Sequence, residues 1–320
     1  MVDGCLVVYK PKGITSHDVI NKIRRVYRLK KCGHAGTLDP MAQGVLLVFF
    51  GKALKLINFI PAEHLDKTYL ARLTLGSTTD SYDATGNVTS VYEGSTDYSD
   101  EELHKAIKPY IGQYDQMPPI YSAIKIDGKK AYAMARAGEE VKLAGRPVNV
   151  ASIRIADNYK NAGKHNLVIR VHCSRGTYVR SLAYDIGNKL GCGAHLSYLL
   201  RERVGKWDFS QAFPYWKLEK GIPFVDDPSF TDFSDVLSCP KITVDSNALF
   251  KINNGQALGR KDIVSIETEN DESSEIFQIF SPDKKLIAVY STRKGDNKPS
   301  GSKQDLKLYP MRVFHEDETD

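Results

Sequence analysis

The sequence predicts an α+β protein in two parts, a large front domain over residues 1–240 and a small β-rich tail over 241–320. Three observations carry this. Apolar runs of strand length stand between glycine and proline turns, as at 5–9, 45–50 and 67–75. Segments with helical spacing alternate with them at 17–27, 101–111 and about 178–190. Past a connecting stretch at 214–240, the readable elements are short strands.

Cys5-Leu6-Val7-Val8-Tyr9 reads as a buried strand ended by the Lys10-Pro11-Lys12-Gly13 turn, with Lys10 expected in solvent. Ser16 is the expected N-cap of a helix over 17–27, with Val19, Ile20, Ile23 and Val26 on its apolar face. Arg24, Arg25, Arg28, Lys30 and Lys31 follow as a basic cluster. Such a run is ordinarily a solvated helix face, with phosphate contact as the second reading.

The stretch Gly33-His34-Ala35-Gly36-Thr37-Leu38-Asp39-Pro40, with Gly44 beyond it, leads into the buried strand at 45–50. Glycine opens backbone conformations closed to other residues, and a following proline keeps Asp39 out of the helical region. A tight loop should therefore present one carboxylate beside a rigid strand. Taken alone, Asp39 reads as a turn cap. His34 could act as a base or a ligand, but no second His, Cys or carboxylate stands at ligand spacing, so no metal is expected.

A helix from Gly51 should stop before Pro61, and 67–76 reads as a strand with Tyr69, Ala71, Leu73 and Leu75 on one face. The polar segment 78–86 reads as a structural hairpin loop. The helix over 101–111 aligns Leu103, Ile107 and Ile111, with Glu101 and Glu102 in its first turn. Between 117 and 147, Lys125, Lys129, Lys130, Arg136, Lys142 and Arg146 interleave with Tyr121 and Tyr132, a pattern suited to phosphates and bases as well as to a charged surface hairpin. Strands follow at 148–156 and 166–173. Ser174-Arg175-Gly176-Thr177-Tyr178-Val179-Arg180 then opens a helix. Arginine in a first turn stands at the unfavourable end of the helix dipole, so Arg180 either reaches into solvent or has a specific anionic partner. In the tail, 277–280 and 285–290 read as strands, 267–275 as a loop and 295–303 as a flexible loop.

Hydrophobic residues make up 42% of the 320 and charged residues 26%, ordinary for a globular protein, and the net charge of +5 permits a polyanionic partner without demanding one. The cysteines Cys5, Cys32, Cys173, Cys192 and Cys239 are odd in number and widely spaced, which points to reduced thiols in the cytoplasm. No signal peptide, membrane span, dinucleotide fingerprint or P-loop pattern is legible.

The Gly33–Pro40 string with Gly44 resembles the signature loop of the TruB family of pseudouridine synthases. Similar motifs recur in family order: Lys10-Pro11-Lys12-Gly13 with Thr15-Ser16, Lys67-Thr68-Tyr69, and Gly176-Thr177-Tyr178-Val179-Arg180-Ser181-Leu182. The resemblance implies a mixed, largely antiparallel central sheet flanked by helices, of pseudouridine synthase type, and a small C-terminal β-barrel of PUA type. It implies an isomerase that makes pseudouridine at position 55, in the T-loop of tRNA. In its terms Asp39 is the catalytic carboxylate, Arg180 pairs with it, and Tyr69 stacks on the target base. Leu199 and Tyr178 meet the substrate, and His34 wedges into the loop to evict the nucleotide. Residues 117–147 become an RNA-gripping thumb, with Lys129, Lys130 and Arg146 joining Arg24 and Lys31 on the RNA backbone. No cofactor, metal, membrane or protein partner is implied, and a monomer is expected. Two other readings remain: an RNA-folding chaperone, and a guide-RNA-dependent relative. The joint presence of Asp39, Tyr69 and Arg180 favours an enzyme, and an uninterrupted 117–147 segment favours a stand-alone one. Whether the carboxylate attacks base or sugar, or chiefly removes a proton, stays open.

Overall fold

The computed structural model describes residues 2–121, 134, 143–161, 163–268, 274–292 and 306–315, with the backbone alone of 125–126 and 129–130. The strands of the central sheet are β1 (Gly4–Lys10), β2 (Cys32–Ala35), β3 (Gln43–Phe50), β4 (Lys67–Leu75), β5 (Gly112–Gln116), β6 (Arg146–Asn161), β7 (Lys164–Cys173) and β8 (Ala194–Val204). They run in the order β1-β3-β8-β4-β7-β6-β5, with β2 paired to β3 and short strands at Trp207–Asp208, Phe213–Pro214 and Phe230–Asp232 completing eleven. Most pairs are antiparallel. The exceptions are the Phe213–Pro214 strand on β1, and β3 on β8, where only Gln43 and Gly44 face Leu200 and Arg201. The loop that precedes β3 at this two-residue join lines the site described below.

The apolar run of β3 is buried on both faces, and period-two alternation explains how. Leu46, Val48 and Phe50 pack with Val19, Ile20 and Ile23 of α1 (Ser16–Tyr27). Val45, Leu47 and Phe49 point the other way, onto Ala53 and Leu56 of the 3-10 helix Gly51–Phe59. On β4 the expected face of Tyr69, Ala71, Leu73 and Leu75 is buried against Val179, Leu182, Ala183 and Ile186 of α3 (Val179–Leu190) and Leu103 and Ile107 of α2 (Asp100–Ile107).

Several expectations are corrected. The cap of α1 is Thr15, in a capping box with Asp18, because the Ser16 hydroxyl is used elsewhere. The helix at Asp100 leaves the α-form after Ile107, at a Lys108–Tyr110 3-10 turn containing Pro109, so Ile111 is 45% exposed instead of continuing the apolar face. Cys32–Ala35 is a strand, not the start of a loop, and Lys10 is fully buried instead of solvated. Most of the thumb-like 117–147 segment, the side chains of Lys129 and Lys130, and the 295–303 loop lie outside the described residues.

The second sheet comprises β9 (Lys241–Val244), β10 (Leu258–Gly259), β11 (Ile263–Glu267), β12 (Ile276–Phe280), β13 (Leu286–Ser291) and β14 (Lys307–Val313), in the order β10-β14-β13-β12-β9-β11. Its two end strands are separated in the chain only by the 3-10 turn Arg260–Asp262. Three residues cannot bridge a flat sheet six strands wide, so the sheet must curl into a half-barrel. Phe280, Leu286, Val289 and Phe314 leave this curl to join the same apolar cluster as Cys5, Val7 and Phe49 of the central sheet.

Candidate active site

The loop between β2 and β3 is tied down before it presents anything. Arg201 of β8, fully buried, donates from Nε to the Val45 carbonyl (2.7 Å), from Nη2 to Gly36 (2.9 Å) and from Nη1 to Thr37 (3.3 Å). Ser16 Oγ donates to the Leu38 carbonyl at 3.1 Å and accepts from the Leu38 amide at 2.8 Å, which is why it cannot cap α1. The Gly13 amide donates to the Pro40 carbonyl at 2.7 Å. Lys10 holds the turn above, donating from Nζ to Pro11 (2.9 Å) and Ile14 (2.7 Å). Burial pushes its ammonium down to about 8, against the pull of the nearby Asp39 carboxylate. Gly44 is required where β3 meets β8: its φ is +107°, and a Cβ there would stand 2.2 Å from the Arg201 carbonyl oxygen.

Asp39 then meets Arg180 of α3. Nε lies 2.8 Å from Oδ2 and Nη2 3.4 Å from Oδ1, a two-pronged ion pair in which the guanidinium is 6% and the carboxylate 36% exposed. The same guanidinium donates from Nη1 to the Ser81 carbonyl and from Nη2 to the Tyr121 carbonyl, both at 3.1 Å. A second carboxylate, Asp83, stands 3.7 Å from Nη1 and is 5% exposed. Asp83 is held by the Ser81 hydroxyl at 3.0 Å, by the Thr85 amide at 2.9 Å and by the Thr85 hydroxyl. Two anions thus offset the unfavourable first-turn position of Arg180.

These groups open on a cleft of about 910 Å³, whose walls include Asp39, Arg180, Tyr69, Tyr178, Leu199 and Lys67. That is ample for one extruded nucleoside. Tyr69 is 6% exposed, and burial pushes its phenol up to about 12, so it stays neutral beside the Arg201 guanidinium and offers a ring face. Lys67, two residues earlier on the same face, is driven down to about 8 by burial and by Arg201. The Tyr178 backbone is clamped from both sides by buried Gln116, whose Oε1 accepts from its amide at 2.8 Å and whose Nε2 donates to its carbonyl at 3.1 Å.

The remaining expected residues are more scattered. His34 sits on β2 opposite Val48, beside the cleft and not in its wall, and burial with the Arg201 charge lowers its imidazole below the usual range. Arg24 spends Nη2 on the Cys32 carbonyl at 3.0 Å, which anchors α1 to β2. Lys31 is exposed, as is Arg146, at the start of β6 opposite Gln116.

Sequence reasoning missed Asp83, Arg201 and Gln116. Arg201 carried a signal, since it shares a strand phase with Leu199 and a charge on a buried phase needs a reason. Asp83 carried none, because 78–86 contains two aspartates and nothing distinguishes the buried one.

The model of the TruB family pseudouridylate synthase (N terminal domain) matches residues 24–179. The tRNA pseudouridine synthase B of Bacillus cytotoxicus is 36% identical over 317 residues, covering 96% of this chain and all (100%) of that protein. Its counterpart from Bacillus subtilis (strain 168) is 34% identical, covering 94% of this chain and 97% of that one. Among solved structures, an H/ACA RNP bound to a substrate RNA containing 2'-deoxyuridine superposes with a TM-score of 0.66 at 22% identity, over 98% of this chain and 85% of that one. A Cbf5-Nop10-Gar1 complex gives 0.64 at 24% identity, over 98% and 85%. At such identities the likeness is one of fold.

Proposed function

The chain belongs to the TruB family of pseudouridylate synthases, and from that premise we propose that it converts uridine 55, in the T-loop of tRNA, to pseudouridine. That it isomerises uridine in tRNA follows from relatives that match it end to end. The position in the tRNA and the roles of individual residues are our reading. The observation that carries it is the Asp39–Arg180 pair, set in a nucleoside-sized cleft beside Tyr69 and Leu199.

The reaction breaks the N1–C1′ bond and forms C5–C1′. C5 loses a proton and N1 gains one, so the atoms balance with no redox step. A carboxylate can serve a glycosyl centre as nucleophile, as base or as a counter-charge at the anomeric carbon. Arg180 holds Asp39 by an ion contact from Nε to Oδ2 and a hydrogen bond from Nη2 to Oδ1, so whichever role Asp39 takes needs little reorganisation. Tyr69 supplies the face against which the base lies, and Leu199 the apolar edge. The nucleotide must leave its stack first, at a cost of a few kcal/mol, and His34, kept neutral, suits the wedge that occupies the gap. Exposed Lys31 and Arg146 are suited to the phosphate backbone. The curled tail over 241–320 serves as a PUA-type RNA-binding unit, a division supported by the change of sheet at Lys241. The enzyme works as a monomer in the cytoplasm, without a cofactor, a guide RNA or a protein partner, in keeping with full-length likeness to tRNA pseudouridine synthase B.

The test is to incubate the purified protein with one unmodified tRNA transcript and map pseudouridine nucleotide by nucleotide. A single modified position, 55, is expected. Modification elsewhere only, or none without an added guide RNA, would refute the proposal.

A further inference from the structure

Arg180 and Tyr184 stand four residues apart on α3, so they share one face of that helix a turn from each other. The Tyr184 ring stacks on Tyr82, with centroids 4.1 Å apart and planes 18° from parallel. Tyr82 has a left-handed backbone, φ +62°, which a bulky side chain adopts only when its surroundings hold it there. The residues on either side of it both face Arg180. The Ser81 carbonyl accepts from Nη1 at 3.1 Å, and the Asp83 carboxylate lies 3.7 Å from the same nitrogen. The other edge of this segment is tied to β8: the Leu196 amide donates to the Tyr82 carbonyl, and the Ala84 amide to the Leu196 carbonyl, each at 2.9 Å.

Residues 81–83 are therefore fastened to α3 at two levels, the guanidinium above and an aromatic ring one turn below. Among the described residues that line the cleft, neither Tyr82 nor Tyr184 figures. We infer that the Tyr82–Tyr184 stack is a positioning device for the Arg180 guanidinium, and acts through it on the orientation of Asp39. Without the stack the left-handed turn at Tyr82 loses its support. The Ser81 carbonyl and Asp83 carboxylate then drift, and the guanidinium can turn away from the two Asp39 oxygens it now contacts. Tyr69 and Leu199, the proposed contacts of the base, stand on β4 and β8 and would keep their places, but the reacting groups would meet less often in the right geometry.

The inference rests on the proposed reading of the site, and wild-type turnover on the unmodified transcript tests that reading separately. The variants are Tyr184→Phe, Tyr184→Leu and Tyr82→Ala, each with kcat, KM for the transcript and melting temperature measured. Tyr184→Phe keeps the ring and should retain at least half of the wild-type kcat. Tyr184→Leu should lower kcat about tenfold with KM within about twofold. Tyr82→Ala removes the ring from the loop side but keeps a Cβ at the left-handed position, and should show the same split even if Tyr184→Leu folds poorly. An unchanged kcat in Tyr82→Ala, or a loss confined to KM, would overturn the inference. So would a Tyr184→Phe variant as slow as Tyr184→Leu.

Discussion

Arg180 and Asp83 are held 3.7 Å apart, each almost wholly buried, and this pairing leaves Asp39 as the more solvent-facing of the two anions on one guanidinium. The arrangement separates roles. Asp83 balances the buried charge, while Asp39 can face the cleft.

Asp39→Asn should therefore abolish turnover while leaving the fold intact, because Arg180 keeps Asp83 and the carbonyls of Ser81 and Tyr121. Single-turnover assays should find no pseudouridine, and filter binding should put tRNA affinity within about threefold of wild type. Residual turnover above about one part in a thousand would remove Asp39 from the chemistry.

Arg180→Lys retains the charge but cannot grip two oxygens at once. We expect kcat to fall by about a hundredfold and KM to change little. Arg180→Met goes further and strands the Asp83 carboxylate in the interior. Its cost in stability should be about 3 kcal/mol, read by urea denaturation. Equal stability of the Lys and Met variants would contradict the charge-balancing role of Asp83.

Gly44→Ala would force a methyl group to 2.2 Å from the Arg201 carbonyl at a backbone φ of +107°. The β3–β8 join should open and the melting temperature should fall by about 5 °C, with activity lost in proportion to the displacement of the Asp39 loop. A variant with wild-type melting and turnover would mean that the join is not what positions that loop.

Asp185, on α3, is pushed up from the usual carboxylate range to about 6 by burial. The folded protein thus holds this proton more tightly than the unfolded chain does. The stability it contributes is complete below about pH 3.8 and is lost as pH rises through 6. Asp185→Asn should raise the melting temperature at pH 7.5 by about 2 °C, allowing for partial solvent exposure, and the gain should fade towards pH 4. A pH-independent gain would assign it to packing.

Much of the site was legible because the residues proposed to act there sit in unusual local sequence. Asp39 stands before a proline in a glycine-rich loop, Tyr69 heads an alternating strand, and Arg180 occupies a helix turn that disfavours cations. The burial of β3 followed from its unbroken apolar run, and that of β4 from hydrophobic alternation. What escaped were contacts closed by tertiary structure. Ser16 has the chemistry of a cap, but its hydroxyl is claimed by Leu38, 22 residues away. Asp83 looks like any turn aspartate until α3 brings Arg180 against it. Helix ends misled for a local reason at Pro109, where spacing continued but the backbone amide did not.

The cluster in which Phe280, Leu286, Val289 and Phe314 meet Cys5, Val7 and Phe49 has a bearing on how this protein can be cut. A chain ended at Pro240 would leave the back of β1 and β3 greasy and wet, a template for self-association. Heat should accordingly melt both sheets in one step, and a shortened enzyme should precipitate before any loss of grip on tRNA could be measured.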